Sequence, residues 1–321
     1  MKYAFIRAEL GGYPLSIVCR LLGLTQAGYH AWVGKARSRR DTEREALRTH
    51  IHAVFDAQRG RYGAPRVYRV LRTQYGYNGS LNRIQALMRA MGLRAKAGRK
   101  YKVTTDSAHT LPVAPNLLGQ DFSCDDASGS VSHAQAPDQV WRSDLTYLWT
   151  SEGWVYVCCV LDLFTRRILG WSIESHMRRE RVLAALEMAY ANRRPGPGII
   201  FHSDRGSQYA STEVRNWLIE RAMRPSMSGA GNCYDNAPME SFWHSLKVEE
   251  THGQNFATRN EARHCVFAYI EGWYNTTRMH SSLGYRSPAQ FERDRLAHTT
   301  AANEDPVIEN SSAARLNKRA A

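Results

Sequence analysis

Only six of the 321 residues are cysteine, and they are scattered. Cys19, Cys124, Cys158, Cys159, Cys233 and Cys265 contain no pair at CxxC spacing. That spacing suggests neither a disulfide framework nor a zinc site. Cys158 and Cys159, inside WVYVCCVLDLF, read as small buried residues of a strand. Long apolar runs are missing too: no stretch reaches the ~20 residues that cross a bilayer. MKYAFIRAEL lacks the apolar core of a signal peptide. The expectation is a soluble cytoplasmic protein with no membrane partner, and no internal repeat stands out.

Acidic residues are scarce at one end. Residues 1–110 hold 21 Lys and Arg against 6 Asp and Glu, a charge of +15, whereas the rest of the chain holds 22 against 24. The first third therefore carries more than the whole overall +13, and the remainder is slightly acidic. Such a concentration is the electrostatic footprint of nucleic-acid binding, where cationic side chains displace condensed counterions; a solvated or membrane-surface patch is the alternative. The remaining composition, 43% hydrophobic and 23% charged, suits a globular protein long enough for more than one domain.

The basic third reads as helical. In residues 1–40, PLSIVCRLLGLTQAGYHAWVG gives a helix over Leu15, Val18, Leu21 and Leu22, a turn at Gly23, and a second helix from Thr25, its N-cap, to Trp32. That is the outline of a helix-turn-helix. In residues 41–103, three helical faces follow: Leu47, Ile51, Val54 and Phe55; Val67, Val70 and Leu71; and Leu81, Ile84, Leu87, Met88 and Met91, the last capped by Ser80. Arg61, Tyr62 and Arg66 are candidate phosphate contacts, with surface packing as the alternative. Arg94, Lys96, Arg99, Lys100 and Lys102 form a basic tail able to follow a DNA backbone.

Residues 104–136 turn to Ser, Ala, Pro, Asp and Gly with little periodicity, and read as a linker. From 137 to 296 the pattern is α/β. QVWRSDLTYLW, GWVYVCCVLDLF and RRILGWSIE suggest three strands in an antiparallel meander. A helix over Arg181–Tyr190, a short buried strand GIIF and a helix over Thr212–Met223 follow. Residues 297–321 are rich in Ala, Asn, Ser and Glu and read as a disordered tail.

Three acids stand in distinct settings. Asp144 closes QVWRSD, Asp204 follows GIIF in HSDRGSQY, and Glu240 lies in the helical NCYDNAPMESFWHSLK, with 35 residues between it and Asp204. A phosphodiester gives a protein little to attack directly. Two divalent ions can clamp the attacking and leaving oxygens of an in-line displacement, and hard cations such as Mg²⁺ need only a few carboxylates because they keep several waters. A lone Asp after a strand is far more often a turn former or cap. Asp162 and Asp235 are read that way, Asp162 before a turn and Asp235 at the start of the Glu240 helix, where negative charge is favoured.

The words WRSDLTY, VLDLFTRRILGW, FHSDRGSQY, GNCYDNAPMESFWHSLK and YNTTRMHSSLGYRSPAQFE occur in that order. Together with the 35-residue spacing they resemble the retroviral-integrase-like DDE transposases of bacterial two-frame insertion sequences, over residues 1–295. The resemblance implies an α/β ribonuclease-H-like (integrase) core preceded by an all-α helix-turn-helix DNA-binding region. It implies Asp144, Asp204 and Glu240 as catalytic and metal-ligating residues for two Mg²⁺ ions, with Mn²⁺ as a substitute. Its partners would be DNA, as terminal inverted repeats and target, and further copies of the chain on that DNA, in a nucleoid-associated bacterial protein. CDDASGSVSHAQ departs from the family as an insertion in the linker, and the zinc module at the N-terminus of retroviral integrases is not visible. Met1 onward resembles the second-frame product, for which the active species is a frameshifted fusion to an upstream-frame partner.

On the Glu240 helix, positions i+3, i+4 and i+7 bring Trp243, His244 and Lys247 onto one face. Lys247 matches a basic residue of related transposases and is expected to hold a phosphate of the bound end, with a solvated lysine as the alternative. Trp243 is core or a base-stacking ring, and His244 is a further DNA-contact candidate. Trp273 and Tyr274 are expected in the core. A DNA-binding regulator that uses its core only for assembly, or an RNA-cleaving ribonuclease H, would share many of these features. The intact triad favours the enzyme over the first, and Lys247 with the basic third argues against the second.

Overall fold

The computed structural model describes residues 2–34, 39–96, 112–118, 134–176, 179–229 and 233–304. Arg99, Lys100, Lys102 and most of CDDASGSVSHAQ lie outside them. The chain divides into two compact units, Met1–Arg94 and Ala95–Ala321.

The first unit is all helix. α1 (Lys2–Glu9), α2 (Leu15–Leu21) and α3 (Gln26–Val33) bury Ile6, Val18 and Cys19 against Tyr3, Leu10, Leu15, Leu22, Leu24 and Tyr29. The α2–α3 turn passes through Gly23 at φ +66°, and Thr25 Oγ1 accepts the Gly28 N–H at 3.1 Å as the N-cap of α3. α1 is absent from the sequence reading because one buried residue, Ile6, makes no periodicity. α4 (Arg39–Ala57), α5 (Ala64–Tyr75) and α6 (Leu81–Ala90) then enclose Leu47, Ile51, Val54, Val67, Val70, Leu71, Ile84, Leu87 and Met88. Each such side chain contributes about 1.5–3 kcal/mol by leaving water. Pro65 sits in the first turn of α5, where its missing N–H costs nothing, and Ser80 caps α6 through the Arg83 N–H.

The second unit is a five-stranded mixed sheet with helices on both faces. β1 (Val140–Thr150), β2 (Gly153–Asp162) and β3 (Ile168–Glu174) form the meander, α7 (Glu180–Arg193) crosses over, and β4 (Ile200–Ser203) returns parallel to β1. The order is β3-β2-β1-β4-β5, so β1 is central. After α8 (Thr212–Glu220) comes β5 (Arg224–Met227), a strand the sequence reading does not contain. Four residues with a proline carry no strand pattern, and Pro225 is tolerated because β5 is an edge.

Alternation along the strands sorts the two cores. Trp141, Cys158, Val160 and Leu169 face α7 and α8. Leu148, Val155, Val157, Cys159 and Leu161 face α9 (Ala237–Leu246) and α10 (Arg259–Tyr269). Gly170 permits the approach of α7 to β3, since a Cβ there would lie 2.2 Å from the Ala185 carbonyl oxygen. Two stretches are more ordered than the sequence suggests. Within the expected linker, Leu117 N–H donates to Ser226 Oγ at 3.0 Å and Leu118 is buried. α11 (Pro288–Glu304) continues through residues 297–304 of the expected tail.

Candidate active site

Asp144 and Asp204 reach one face of the sheet by the period of the β-strand. On β1, Arg142, Asp144, Thr146 and Leu148 alternate with Trp141, Ser143 and Leu145, and the second set meets the α7–α8 core, where Ser143 Oγ lies 2.9 Å from Tyr209 Oη. Asp144 thus points to the α9 side. On the neighbouring parallel strand, Phe201 belongs to the α7–α8 core, so His202 and, just past the strand end, Asp204 fall on the same side as Asp144. α9 covers that side with Met239, Phe242, Trp243 and Leu246, leaving Glu240 at its exposed margin. A 3₁₀ turn (Cys233–Asn236) and Pro238 in the first turn start the helix, which runs on as a π-helical turn, Lys247–Thr251.

The half-buried Asp144 accepts the Leu145 N–H at 2.8 Å on Oδ1 and the Trp243 indole N–H at 3.2 Å on Oδ2. Burial, then the nearby Asp204 carboxylate, and less strongly Glu240, push its pKa up to about 8 against the relief those two hydrogen bonds bring. Asp144 therefore feels two acids from distant parts of the chain. Burial also raises the Glu240 pKa. Asp204 Oδ1 accepts the Gly206 N–H at 3.0 Å. Burial lowers the Lys247 pKa while Asp144 opposes that effect, and the Lys247 ammonium stands 5.6 Å from the Tyr147 ring centre.

Behind the acids lies a neutral support. His202 is buried, its Nδ1 is 2.9 Å from Ser226 Oγ and its Nε2 3.3 Å from Ser228 Oγ. Burial, followed by the neighbouring Arg142 guanidinium, holds its pKa down to about 3, so it packs as an uncharged imidazole. Arg142 donates to the Asp235 carbonyl, and Arg205 Nε to the Ser228 carbonyl at 2.7 Å. These bonds tie the Asp204 loop and the approach to α9 to the sheet.

The two comparison acids are structural. Asp162 accepts N–H bonds from Asp138 and Thr165 and the Thr165 hydroxyl, as the expected turn requires; burial raises its pKa to about 6. Asp235 is buried in the 3₁₀ turn that leads into α9, near the helix start as expected, and its carboxylate accepts the Gly229 N–H at 2.6 Å and an Asn116 Nδ2 hydrogen at 3.0 Å. In the helical unit, Arg61 and Tyr62 are 6% and 1% exposed, and side chains so buried offer no surface to a phosphate. Of that trio only Arg66, half-buried and stacked 5.5 Å from the Tyr62 ring centre, keeps an accessible face. His244 is exposed on α9.

Two features were not legible in the sequence as site elements. The Trp243 bond to Asp144 is one, although the i+3 spacing from Glu240 was its available signal. The other is a buried clasp under the C-terminal word. Arg278 forks onto Glu249, with Nε 2.9 Å from Oε2 and Nη2 2.8 Å from Oε1; Nη2 also reaches Ser245 Oγ at 2.8 Å, and Tyr269 Oη donates to Glu249. Asn275 bridges the backbone of Ile168 through both ends of its amide. Tyr274 is in the core, as expected, and Trp273 packs against it partly buried.

Among the described residues, no three His, Cys, Asp or Glu side chains form a ready-made metal cage. The donor set nevertheless suits a hard divalent cation in kind: oxygen ligands only, with a carboxylate raised by burial and then by two like charges that a cation would neutralise.

The integrase core domain family matches residues 134–233, a second family of the same description matches 240–296, and an HTH-like domain family matches 42–101. The chain is 42% identical over 301 residues to the transposase InsF for insertion sequence IS3A of Escherichia coli, covering 92% of this chain and all of that one. The chain belongs to the transposases of IS3-type insertion sequences. An uncharacterized 31 kDa protein of insertion element IS600 from Shigella sonnei is 41% identical over 85% of this chain and 97% of its own. The HTLV-2 integrase catalytic core aligns at 12% identity and a TM-score of 0.36, over 49% of this chain and 98% of that one, and carries no weight beside the sequence matches. The fold of this transposase is thus an integrase-type α/β core preceded by a helical HTH-like region. No helix among the described residues is long and apolar enough to cross a membrane.

Proposed function

We propose that this transposase binds the ends of its own mobile element through its helical segments, residues 1–40 and 41–103, and performs metal-dependent cleavage and strand transfer in the 137–296 core. The observation that carries the reading is that Asp144, on the central strand, feels the carboxylates of Asp204 at a strand end and, less strongly, Glu240 on the covering helix. Asp144, Asp204 and Glu240 would hold Mg²⁺, or Mn²⁺ in its place. Bound there, two such ions supply the clamp on the attacking and leaving oxygens of a phosphodiester displacement.

The chain's own contribution is placement. Trp243 fixes one oxygen of Asp144 and the Leu145 N–H the other, so its rotamer is set from two sides. The Gly206 N–H does the same for Asp204. Lys247 supplies a cation beside these acids, suited to a phosphate of the bound strand. Three carboxylates facing a polyanion are repulsive, and a nearby ammonium reduces that penalty. Hydrolysis at the element end frees a 3′-hydroxyl, and that hydroxyl displaces a second phosphodiester in the same site, with no covalent enzyme–DNA bond.

The test is cleavage and joining of DNA carrying the element's own ends, with Glu240→Gln beside the unaltered chain in Mg²⁺ and in EDTA. Loss of both reactions on either change, with DNA binding kept, is the expected outcome. Cleavage by Glu240→Gln at the original rate would remove Glu240 from the site.

A further inference from the structure

The β1–β2 hairpin carries an aromatic face that the cleavage chemistry does not use. Tyr147 and Trp149 on β1 and Trp154 on β2 lie on one side of the sheet by strand alternation, and Trp149 is directly opposite Trp154. They are 37%, 59% and 43% exposed. Trp154 meets both partners near edge-to-face, 5.0 Å from Tyr147 and 4.8 Å from Trp149 between ring centres. The helical layer stops at the next position along: Tyr156, opposite Tyr147, is already roofed by the Arg181 guanidinium of α7 at 5.1 Å.

The platform is rigid and flanked by positive charge. Its reverse side, Leu148 and Val155, is buried under α9 and α10. The hairpin tip is held by the Thr150–Phe256 bridge, by Ser151 N–H on the Phe256 carbonyl at 2.9 Å, and by Arg259 N–H on Glu152 Oε2 at 2.9 Å. Lys247 lies over Tyr147 at the inner end, and the exposed Arg259 stands at the outer end, beside Gly153. Tyr147 follows Asp144 by three residues and Trp149 by five, odd intervals that put both rings on the sheet face opposite the carboxylate, with Lys247, which feels Asp144 and stands 5.6 Å from the Tyr147 ring centre, between them. At about 3.3 Å per residue they stand roughly 10 and 17 Å along the strand, about three to five base steps of a DNA strand.

We propose that Tyr147, Trp149 and Trp154 form a stacking platform for unpaired bases of a DNA strand on the sheet face opposite Asp144, with Lys247 and Arg259 taking its phosphates. The proposal rests on the proposed function only for the ligand being DNA. Aromatic rings interleaved with cations are the chemistry that binds single strands, because every base has a π-face while a paired base hides its own. A second protein copy is the poorer occupant. A whole aromatic ring buries about 150–250 Å², so three partly exposed rings offer roughly 300 Å², well under the ~800 Å² each partner gives a standard interface.

The probe is an oligothymidylate of about 20 nucleotides, with a duplex of equal length as its control, titrated into the full chain and followed by tryptophan fluorescence. The unaltered chain is expected to bind the single strand with quenching. Trp149→Ala with Trp154→Ala should lose at least about tenfold in affinity for it, while duplex affinity moves less than twofold. Trp149→Phe with Trp154→Phe should retain most of the binding, because a ring remains. Trp149→Ser alone gives the same test should the double alanine chain not fold. No binding by the unaltered chain, equal binding by the alanine chain, or a change of sedimenting mass in its place would overturn the proposal. Glu240→Gln separates the two readings: it should leave oligothymidylate binding intact, and an effect on cleavage alone bears on the catalytic site and not on the platform.

Discussion

The helical unit and the integrase-type unit solve different problems. In residues 2–94 most of the helices after α1 are set by neighbours in sequence: Thr25 and Ser80 cap, Gly23 turns, and the buried stripes of α4, α5 and α6 recur at helical spacing. In the second unit the decisive contacts span great lengths of chain, Trp243 to Asp144, Arg278 to Glu249 and Asn275 to Ile168. Local rules therefore produce a surface on which many basic side chains are equivalent, whereas long-range pairing brings Asp144 under the influence of Asp204 and Glu240. That difference explains why the candidate catalytic acids are nameable from the sequence and candidate DNA contacts of the helical unit are not.

Breaking the long-range side should have the greater effect. Asp144→Ala or Asp204→Ala is expected to cut strand cleavage by 10³-fold or more, as loss of an electrostatic centre does, without moving the melting temperature of the helical unit; a residual rate above a tenth would show that the acids do not act together. Arg278→Ala should come next, since it strands the Glu249 carboxylate in the core. Removing one member of a buried pair costs about 3–5 kcal/mol, readable by denaturant unfolding, and a loss under about 1 kcal/mol would mean that water replaces the clasp.

A pH series sharpens the comparison further. Asp144, raised to about 8 in the fold, binds a proton that the unfolded chain releases near the ordinary carboxylate value. Its protonation favours the folded state at low pH, and that contribution is lost as pH rises through about 8. Without metal, the second unit should become less stable from pH 6 to 9, and Mg²⁺ should reverse the trend by taking the proton's place. In sub-saturating Mg²⁺, cleavage should fall as pH drops below about 8, with the midpoint moving down as metal is added; a midpoint indifferent to metal would separate the titration from ligation.

The smallest effects belong to the helical unit. Arg66→Ala should leave stability within about 0.5 kcal/mol and reduce the salt dependence of duplex binding by about one counterion, measured by titration at several salt concentrations. An unchanged slope would make Arg66 a packing residue of the Tyr62 ring.

Much of the architecture was legible because its signals are local. Capped helices, the alternating meander and the 35-residue interval between Asp204 and Glu240 are all read within short windows. β5 escaped because an edge strand held only by β4 needs no pattern of its own, and Pro225 argues against a strand until its neighbour is known. Arg61 and Tyr62 were placed on the surface because polar and aromatic side chains give no sign of burial until the helices around them pack. The ordered Leu117–Leu118 stretch and the continuation of α11 were hidden in the same way, by composition that looks loose when its partners are out of view.

The chain of residues alone determined the family words, the identity of the three acids, the helix caps and the separation of positive charge into one third of the molecule, since each depends on residue type and short spacing. Only the tertiary structure decided which face of β1 the helix bearing Glu240 would cover, that Trp243 would donate to Asp144, and that the Tyr147–Trp149–Trp154 face would be left open. Strand alternation offers two equivalent sides, and the choice between them is made by hydrophobic burial summed over α7, α8, α9 and α10, a quantity no single segment contains.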